Sequence, residues 1–198
     1  MQDIWYGDRR DRVKWGALVH LARSQRLSKI VQVAFYRPLP NPKLQTDEVF
    51  VSMPGEVWSH FSNLKNIQML AESTRIEIVV LDRVFDPRYR RQYIREVTQS
   101  LRQHSENPKI VFLDPDTGIE PGTAKAEHVT IKDIKEIWEA LKPHDWLAIY
   151  QHAYRRKNWL ETSRRKFKRA CGVENVKTFL GPMIAADIAV FAAEKMPP

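Results

Sequence analysis

The stretch that decides the fold is IVFLDPDTG, residues 110–118. Its first four residues are all apolar, which predicts a strand that is buried on both faces. The next five, Asp114 to Gly118, are rich in turn-forming residues and predict a loop. The sequence therefore predicts an acidic loop at the carboxyl end of an internal strand.

Further buried strands are predicted on both sides of this stretch. They are KIVQVAFY at 29–36, IEIVVL at 76–81 and WLAIY at 146–150. Helices are predicted between the strands. Buried strands that alternate with helices favour a Rossmann-like α/β fold, a three-layer sandwich with a mostly parallel central sheet. No linker or internal repeat interrupts the pattern, so residues 1–198 are predicted to form a single domain.

The predicted helices have recognisable faces and starts. Apolar residues at helical spacing mark residues 10–26 and 55–71. Asp86-Pro87 predicts a helix start with an aspartate cap, and Thr130 with Asp133 resembles a capping box. The run IAADIAVFAA at 184–193 fits two interpretations, because its alanines favour a helix and its Ile, Val and Phe residues favour a strand.

Composition excludes several classes of protein. The chain has 198 residues, a single cysteine and a formal net charge of +8. One cysteine cannot form a disulfide framework or a CxxC zinc site. No apolar run approaches the roughly 20 residues of a membrane span, and the polar start MQDIWYGDRRDR is unlike a secretory signal. We expect a cytoplasmic protein that does not enter membranes.

Positive charge is concentrated in residues 150–177, which hold nine lysines and arginines against two glutamates. Such a segment favours a polyanionic partner, because each neutralised phosphate releases counterions. A solvated helix face that keeps the protein soluble is the alternative. The predicted helix lies at 155–169 and is followed by Gly172, a typical helix stop. The candidate nucleic-acid-binding residues are Arg155, Arg156, Lys157, Arg164, Arg165 and Lys168.

Polar groups follow three of the predicted strands. Asp82 follows the strand at 76–81, Asp114 follows the strand at 110–113, and His152 lies beyond the strand at 146–150. The carboxyl ends of parallel strands meet at one edge of a sheet, where ligands bind in α/β proteins. We therefore expect these three side chains to share a cleft.

Two motifs resemble a known family. LDPDTG after a buried strand resembles the [DNS]PP[YFW] motif of class I S-adenosylmethionine-dependent amino methyltransferases. The opening Tyr6-Gly7-Asp8-(x2)-Asp11-(x2)-Lys14-Trp15 is similar to the Gly-Asn-(x2)-Asp-(x2)-Lys-His opening of the bacterial ribosomal-RNA adenine-N6 methyltransferases. Three features differ from the family. Asp116 replaces the second proline, Thr117 replaces the aromatic residue, and the strand at 29–36 is followed by no glycine-rich turn.

The resemblance implies an S-adenosylmethionine-dependent methyltransferase that acts on an amino group of a nucleic acid or nucleotide. In this interpretation Asp114 orients the target amine, and Asp116 or His152 fixes the substrate. The residues that would contact the cofactor are Asp8, Asp11, Lys14, Trp15 and Asp82.

Two other functions stay open. Asp82, Asp114 and Asp116 could hold Mg²⁺ in a nuclease or phosphodiesterase, because this cation prefers carboxylate oxygens. Glu120 and His128 lie within loop reach, and Pro115-Asp116 with Asp133-Ile134-Lys135 matches the spelling of a PD…(D/E)xK nuclease motif. The third hypothesis is a non-catalytic nucleic-acid-binding domain of degenerate methyltransferase fold. A protein partner or a homo-oligomer is compatible with each.

Overall fold

The computed structural model describes residues 7–38, 43–45, 49–52, 54, 63–104, 107–154 and 157–197. The helices are α1 (Arg9–Ser24), α2 (Leu70–Thr74), α3 (Arg90–Gln103), α4 (Ile131–Ala140) and α5 (Trp159–Cys171), with 3-10 turns at Leu64–Met69 and Pro87–Tyr89. The strands are β1 (Lys29–Val33), β2 (Lys43–Gln45), β3 (Phe50–Ser52), β4 (Glu77–Leu81), β5 (Ile110–Leu113), β6 (Gly118–Ile119), β7 (His128–Val129), β8 (Trp146–His152), β9 (Lys177–Gly181) and β10 (Ala185–Glu194).

Six strands form the central sheet in the order β4-β1-β5-β8-β10-β9. Strands β4, β1, β5 and β8 pair in parallel, whereas β10 is antiparallel to both β8 and β9. Val33 pairs with Leu81 on one side and with Leu113 on the other. The residues that follow these three strands therefore begin at the same edge of the sheet.

Helices cover both faces of the sheet. Helices α3, α4 and α5 pack on one face, around a core that includes Val97, Ile134 and Phe167. Helix α1 packs on the other face, together with Ile67 of the 3-10 turn before α2. This arrangement confirms the predicted three-layer α/β sandwich with a mostly parallel sheet.

Local chemistry explains where the helices begin and end. Asp86 accepts from the backbone N–H of Arg88, Thr130 and Asp133 form a reciprocal capping box, and Gly172 ends α5 in the left-handed conformation. These three predictions are confirmed. Because α5 begins at Trp159, the helix is shorter at its start than the predicted 155–169.

The structure resolves one open prediction and corrects others. The ambiguous run at 184–193 is a strand, β10, which crosses the sheet interior between β8 and β9. Strand β9 was not expected, because KTFLG is short and starts with a lysine. Residues 55–62 of the helix predicted at 55–71 lie outside the described residues, and its remainder is a 3-10 turn followed by α2. In the described part of the chain, no helix is both long and apolar enough to cross a membrane.

Candidate functional site

A cavity of about 520 Å³ opens at the carboxyl edge of the sheet. Strand β4 lies next to β1 on one side, and the chain then crosses to β5, which lies next to β1 on the other side. The cavity lies at this topological switch point, which is the usual ligand position in an open α/β sheet. It is lined by Asp8, Arg10, Lys14, Arg37, Asp114, Pro115, Asp116, Thr117, Glu127, Tyr150 and His152.

A buried ion network forms part of the cavity wall. The ammonium group of Lys14 lies 2.6 Å from Asp11 Oδ1 and 3.1 Å from Asp114 Oδ1. Gln32, inside β1, donates from Nε2 to Asp114 Oδ2 over 2.8 Å. The side chain of Asp114 is only 1% exposed. Both of its oxygens thus accept hydrogen bonds from protein groups, which satisfies the polar atoms that folding removes from water.

The network shifts the pKa of its members. Burial by itself lowers the pKa of Lys14, but the charges of Asp114 and Asp11 outweigh burial and the pKa is raised. Burial raises the pKa of Asp11, although Lys14 opposes the shift. Burial also raises the pKa of Tyr150, whose ring centroid lies 4.7 Å from the Lys14 ammonium. Lys14 is therefore held as a cation between two carboxylates.

A second cluster joins three elements at the cavity. Asp187 of β10 accepts from Arg10 Nη2 over 2.6 Å, and the same oxygen lies 3.1 Å from His152 Nε2. Burial raises the pKa of Asp187, but the hydrogen bonds from Arg10 and His152 bring it to about 2. Asp187 is therefore ionised at neutral pH, and it fixes the ring of His152.

The acidic loop after β5 is anchored to β8 by Gln151. This side chain accepts from the backbone N–H of Ile119 over 2.9 Å and donates to the carbonyl of Thr117 over 3.2 Å. Gly118 has φ +108°, and a Cβ atom there would lie 2.6 Å from Gln151 Oε1. Only glycine fits this close approach. On the cavity side of the loop, Asp116 forms a salt bridge with Arg37.

The chain turns after β1 without a glycine. Phe35 has φ +46°, a left-handed conformation that costs free energy for a residue with a side chain. Its ring packs on Phe85 and Tyr93, with centroid distances of 5.4 Å and 5.3 Å. The Tyr93 hydroxyl also accepts from the Phe35 backbone N–H over 3.1 Å. Aromatic packing thus holds the turn that a glycine would form more easily.

The structure brings several predicted residues together. Asp8, Lys14, Asp114, Asp116 and His152 line the cavity, and Asp11 holds Lys14.

Asp82 and Trp15 do not line the cavity. The position of Asp82 corrects the expectation of a cleft shared by Asp82, Asp114 and His152. Asp82 lies at the end of β4, two strands from β5, and forms a salt bridge of 3.2 Å with Lys65. Trp15 is 5% exposed and packs edge-on against Phe112, with ring centroids 6.1 Å apart. Lys14, one residue earlier on α1, reaches Asp114, whereas Trp15 lies in the core between α1 and the sheet.

The predicted magnesium site is not formed by the described residues. They contain no group of three or more His, Cys, Asp or Glu side chains that could hold a metal ion. Glu120 accepts from the Ile131 backbone N–H, and His128 Nδ1 accepts from the Lys125 backbone N–H. Asp133 and Lys135 lie on α4, as the sequence pattern indicated, whereas the nuclease motif requires a strand.

The cations of α5 are partly neutralised. Arg164 and Arg165 lie 3.6 Å and 4.0 Å from the same glutamate, Glu161, and Lys168 lies 2.8 Å from Glu174. Lys157 is exposed just before the helix, while Arg155 and Arg156 lie outside the described residues.

Several residues of the site were not predicted. Arg10, Arg37 and Glu127 line the cavity, whereas Gln32 and Asp187 bind residues that line it. Gln32 carries the clearest signal, because a glutamine within the apolar strand KIVQV needs a buried partner. Asp187 interrupts the apolar run at 184–193 in the same way. Arg10 and Glu127 have no sequence signal, because charged residues at a helix start and in a loop are common.

Comparison with known proteins gives similarities of general architecture. No protein-family model matches, and no curated protein matches. Among solved structures, a proposed methyltransferase from Thermobifida fusca YX has a TM-score of 0.49 at 9% identity, over 96% of this chain and 81% of that one. Spermidine synthase from Thermotoga maritima has a TM-score of 0.46 at 11% identity, over 92% of this chain and 59% of that one. A protein-(glutamine-N5) methyltransferase from Alicyclobacillus acidocaldarius has a TM-score of 0.39 at 11% identity, over 98% and 97%.

Proposed function

We propose that this protein is an S-adenosylmethionine-dependent methyltransferase that acts on an amino group of a nucleic acid or nucleotide. The observation that carries the proposal is the carboxylate-rich cavity at the switch point between β1 and β5. Its volume of about 520 Å³ lies within the range of small-molecule and cofactor sites.

The charges of the cavity suit a cationic cofactor. Four carboxylates and three cations line it. Two further carboxylates do not line the cavity but bind these cations: Asp11 binds Lys14, and Asp187 binds Arg10. Carboxylates therefore outnumber cations. S-adenosylmethionine carries a sulfonium and an ammonium group, which negative surroundings favour, whereas a phosphate group would be repelled.

The residues present fit this cofactor. Asp8, Asp116 and Glu127 line the cavity, and their carboxylate oxygens would accept hydrogen bonds from the ammonium and ribose hydroxyl groups of the cofactor. The left-handed turn at Phe35 lets the backbone bend beside the cavity although glycine is absent. When bound, the cofactor supplies an electrophilic methyl group. Asp82 and Trp15 are left out of the proposed cofactor site because they do not line the cavity.

His152 is the group that we propose removes the proton. In methyl transfer to an amine, the N–C bond forms while the S–C bond breaks and its electron pair stays on sulfur. The nitrogen then loses a proton to a base. With Nε2–H donated to Asp187, His152 Nδ1 is the nitrogen that accepts it. Asp187 would stabilise the resulting imidazolium, as a carboxylate does for a histidine base in other enzymes.

Asp114 receives a positioning role in this proposal. Its carboxylate is buried and already accepts from Lys14 and Gln32. It therefore holds α1, β1 and the acidic loop in place, instead of orienting the target amine by itself.

Calorimetric titration with S-adenosylmethionine and with its demethylated product tests cofactor binding. We expect saturable heat for the wild type and at least about tenfold weaker binding for Asp116→Asn, because one lining carboxylate loses its charge. Asp82→Asn is the matched control and should bind like the wild type, since Asp82 lies outside the cavity. No heat at millimolar ligand with folded protein would exclude the proposed function.

Transfer of labelled methyl groups to oligonucleotides tests the base. His152→Ala should lower the turnover rate by roughly 10²- to 10⁴-fold, the usual contribution of a general base. Cofactor affinity should stay close to that of the wild type. An unchanged rate in His152→Ala would exclude this role, and transfer to no oligonucleotide or nucleotide would exclude the substrate class.

A further inference from the structure

Helix α3 carries a stripe of exposed arginines, which the charge concentration at 150–177 does not include. Arg91, Arg95 and Arg102 are exposed and occur at positions i, i+4 and i+11. This spacing places them on one face of the helix, together with Thr98, and all four line one shallow groove. At 1.5 Å per residue, the stripe is about 16 Å long.

These arginines have fewer ionic partners than the cations of α5. In the part of the chain that the structure describes, no salt bridge joins Arg91, Arg95 or Arg102 to a carboxylate, whereas Glu161 and Glu174 bind three cations of α5. Two glutamates of α4 border the stripe, and each has a lysine one turn earlier at 3.9 Å, Lys132 for Glu136 and Lys135 for Glu139. The stripe therefore keeps most of its positive charge available.

An exposed aromatic residue lies at the start of α3. Tyr89 is 62% exposed, and the guanidinium of Arg88 lies 5.8 Å from its ring centroid. Because β4 runs toward the carboxyl edge of the sheet and α3 follows it, this end of the helix lies near the edge that holds the cavity. Arginine side chains bind phosphates, and aromatic rings stack on unpaired bases.

We propose that the arginine stripe of α3 and Tyr89 bind the backbone and a base of a single-stranded nucleic acid. The net negative cavity does not suit a phosphate chain, so a polynucleotide substrate requires a separate positive surface. A base whose amino group is to react must also be unstacked from a duplex. The inference rests on the proposed function, because it names the form of that substrate and where its backbone lies.

Fluorescence anisotropy with labelled single-stranded RNA and DNA, over a series of salt concentrations, tests the surface. The triple variant Arg91→Gln/Arg95→Gln/Arg102→Gln should reduce the slope of log K against log salt by about 2, since each phosphate contact on a single strand contributes about 0.7. Tyr89→Ala should weaken binding roughly fivefold or more without changing the slope. The matched control on α5, Arg164→Gln/Arg165→Gln/Lys168→Gln, should change the slope less than the α3 variant.

The outcomes separate this inference from the proposed function. The α3 triple variant should keep the calorimetric heat of S-adenosylmethionine, because α3 does not line the cavity. If oligonucleotide binding depends on α3 but S-adenosylmethionine gives no heat, the nucleic-acid-binding surface is supported and the methyltransferase function is excluded. An unchanged slope in the α3 variant, a larger loss in the α5 variant, or tighter binding of duplex than of single strands would overturn the inference.

Discussion

Lys14 and Asp114 are separated by 100 residues in the chain and lie 3.1 Å apart in the wall of the cavity. Lys14 comes from α1 and Asp114 from the end of β5, so their salt bridge joins the helical layer to the carboxyl edge of the sheet.

Replacing Lys14 tests how much the buried network contributes to stability. Lys14→Met leaves Asp11 and Asp114 buried without their cation, and we expect the free energy of unfolding to fall by about 3–5 kcal/mol. Urea denaturation at neutral pH measures it. Lys132→Met is the control, because Lys132 is 71% exposed and lies 3.9 Å from its partner. It should cost less than about 1 kcal/mol. Equal losses in the two variants would contradict the structure.

Asp187 makes stability depend on acid. Its pKa of about 2 lies below the ordinary value of 3.8, so the ionised form is favoured by folding. The stabilisation is fully present above about pH 4 and is lost as the pH falls toward 2. Asp187→Asn should therefore be less stable than the wild type at pH 6, and the difference should narrow below pH 4. Denaturant melts at several pH values measure the free energy of unfolding of the two proteins. A difference that stays constant to pH 2 would show that Arg10 and His152 do not lower the pKa of Asp187.

Gly118 is the residue on which the acidic loop depends for its close approach to β8. Gly118→Ala combines a positive φ with a Cβ atom 2.6 Å from Gln151, so we expect a loss of at least about 1–3 kcal/mol. Gly122→Ala is the matched control, because a Cβ atom there has no neighbour within 4 Å and φ is not positive. Thermal unfolding of the two variants checks the contrast. Similar midpoints would mean that the loop does not require glycine.

Cys171 should not react in the folded protein. Burial raises the pKa of its thiol to about 12, so almost no thiolate is present at pH 8. Mass spectrometry after treatment with an alkylating reagent should find the native protein unmodified and the protein unfolded in guanidinium modified once. Rapid labelling under native conditions would contradict the packing of α5 against the sheet.

Much of this architecture can be predicted from the sequence because it depends on local pattern. The apolar residues of β1, β5 and β8 identify buried strands, and the caps at Asp86 and Thr130 need only neighbouring residues. Strand β10 is different, since its alanines suit a helix and only its neighbours β8 and β9 make it a strand.

The site is harder to predict because its contacts join distant residues. Asp114 follows β5 and His152 is the last residue of β8, and both are recognisable from these positions. The Arg10–Asp187 pair spans 177 residues, and no local pattern connects the two. Asp82 shows that a position after a strand is not sufficient. It lies at the same edge of the sheet as Asp114, but its side chain pairs with Lys65 and does not line the cavity.

The separation of Arg10 from Asp187 has a consequence for synthesis on the ribosome. Arg10 is synthesised 177 residues before Asp187, so the two side chains cannot pair until β10 has been made. Contacts between such distant positions form slowly, because a long loop must close first. A nascent chain therefore has no Arg10–Asp187 pair at the cavity until translation has passed β10.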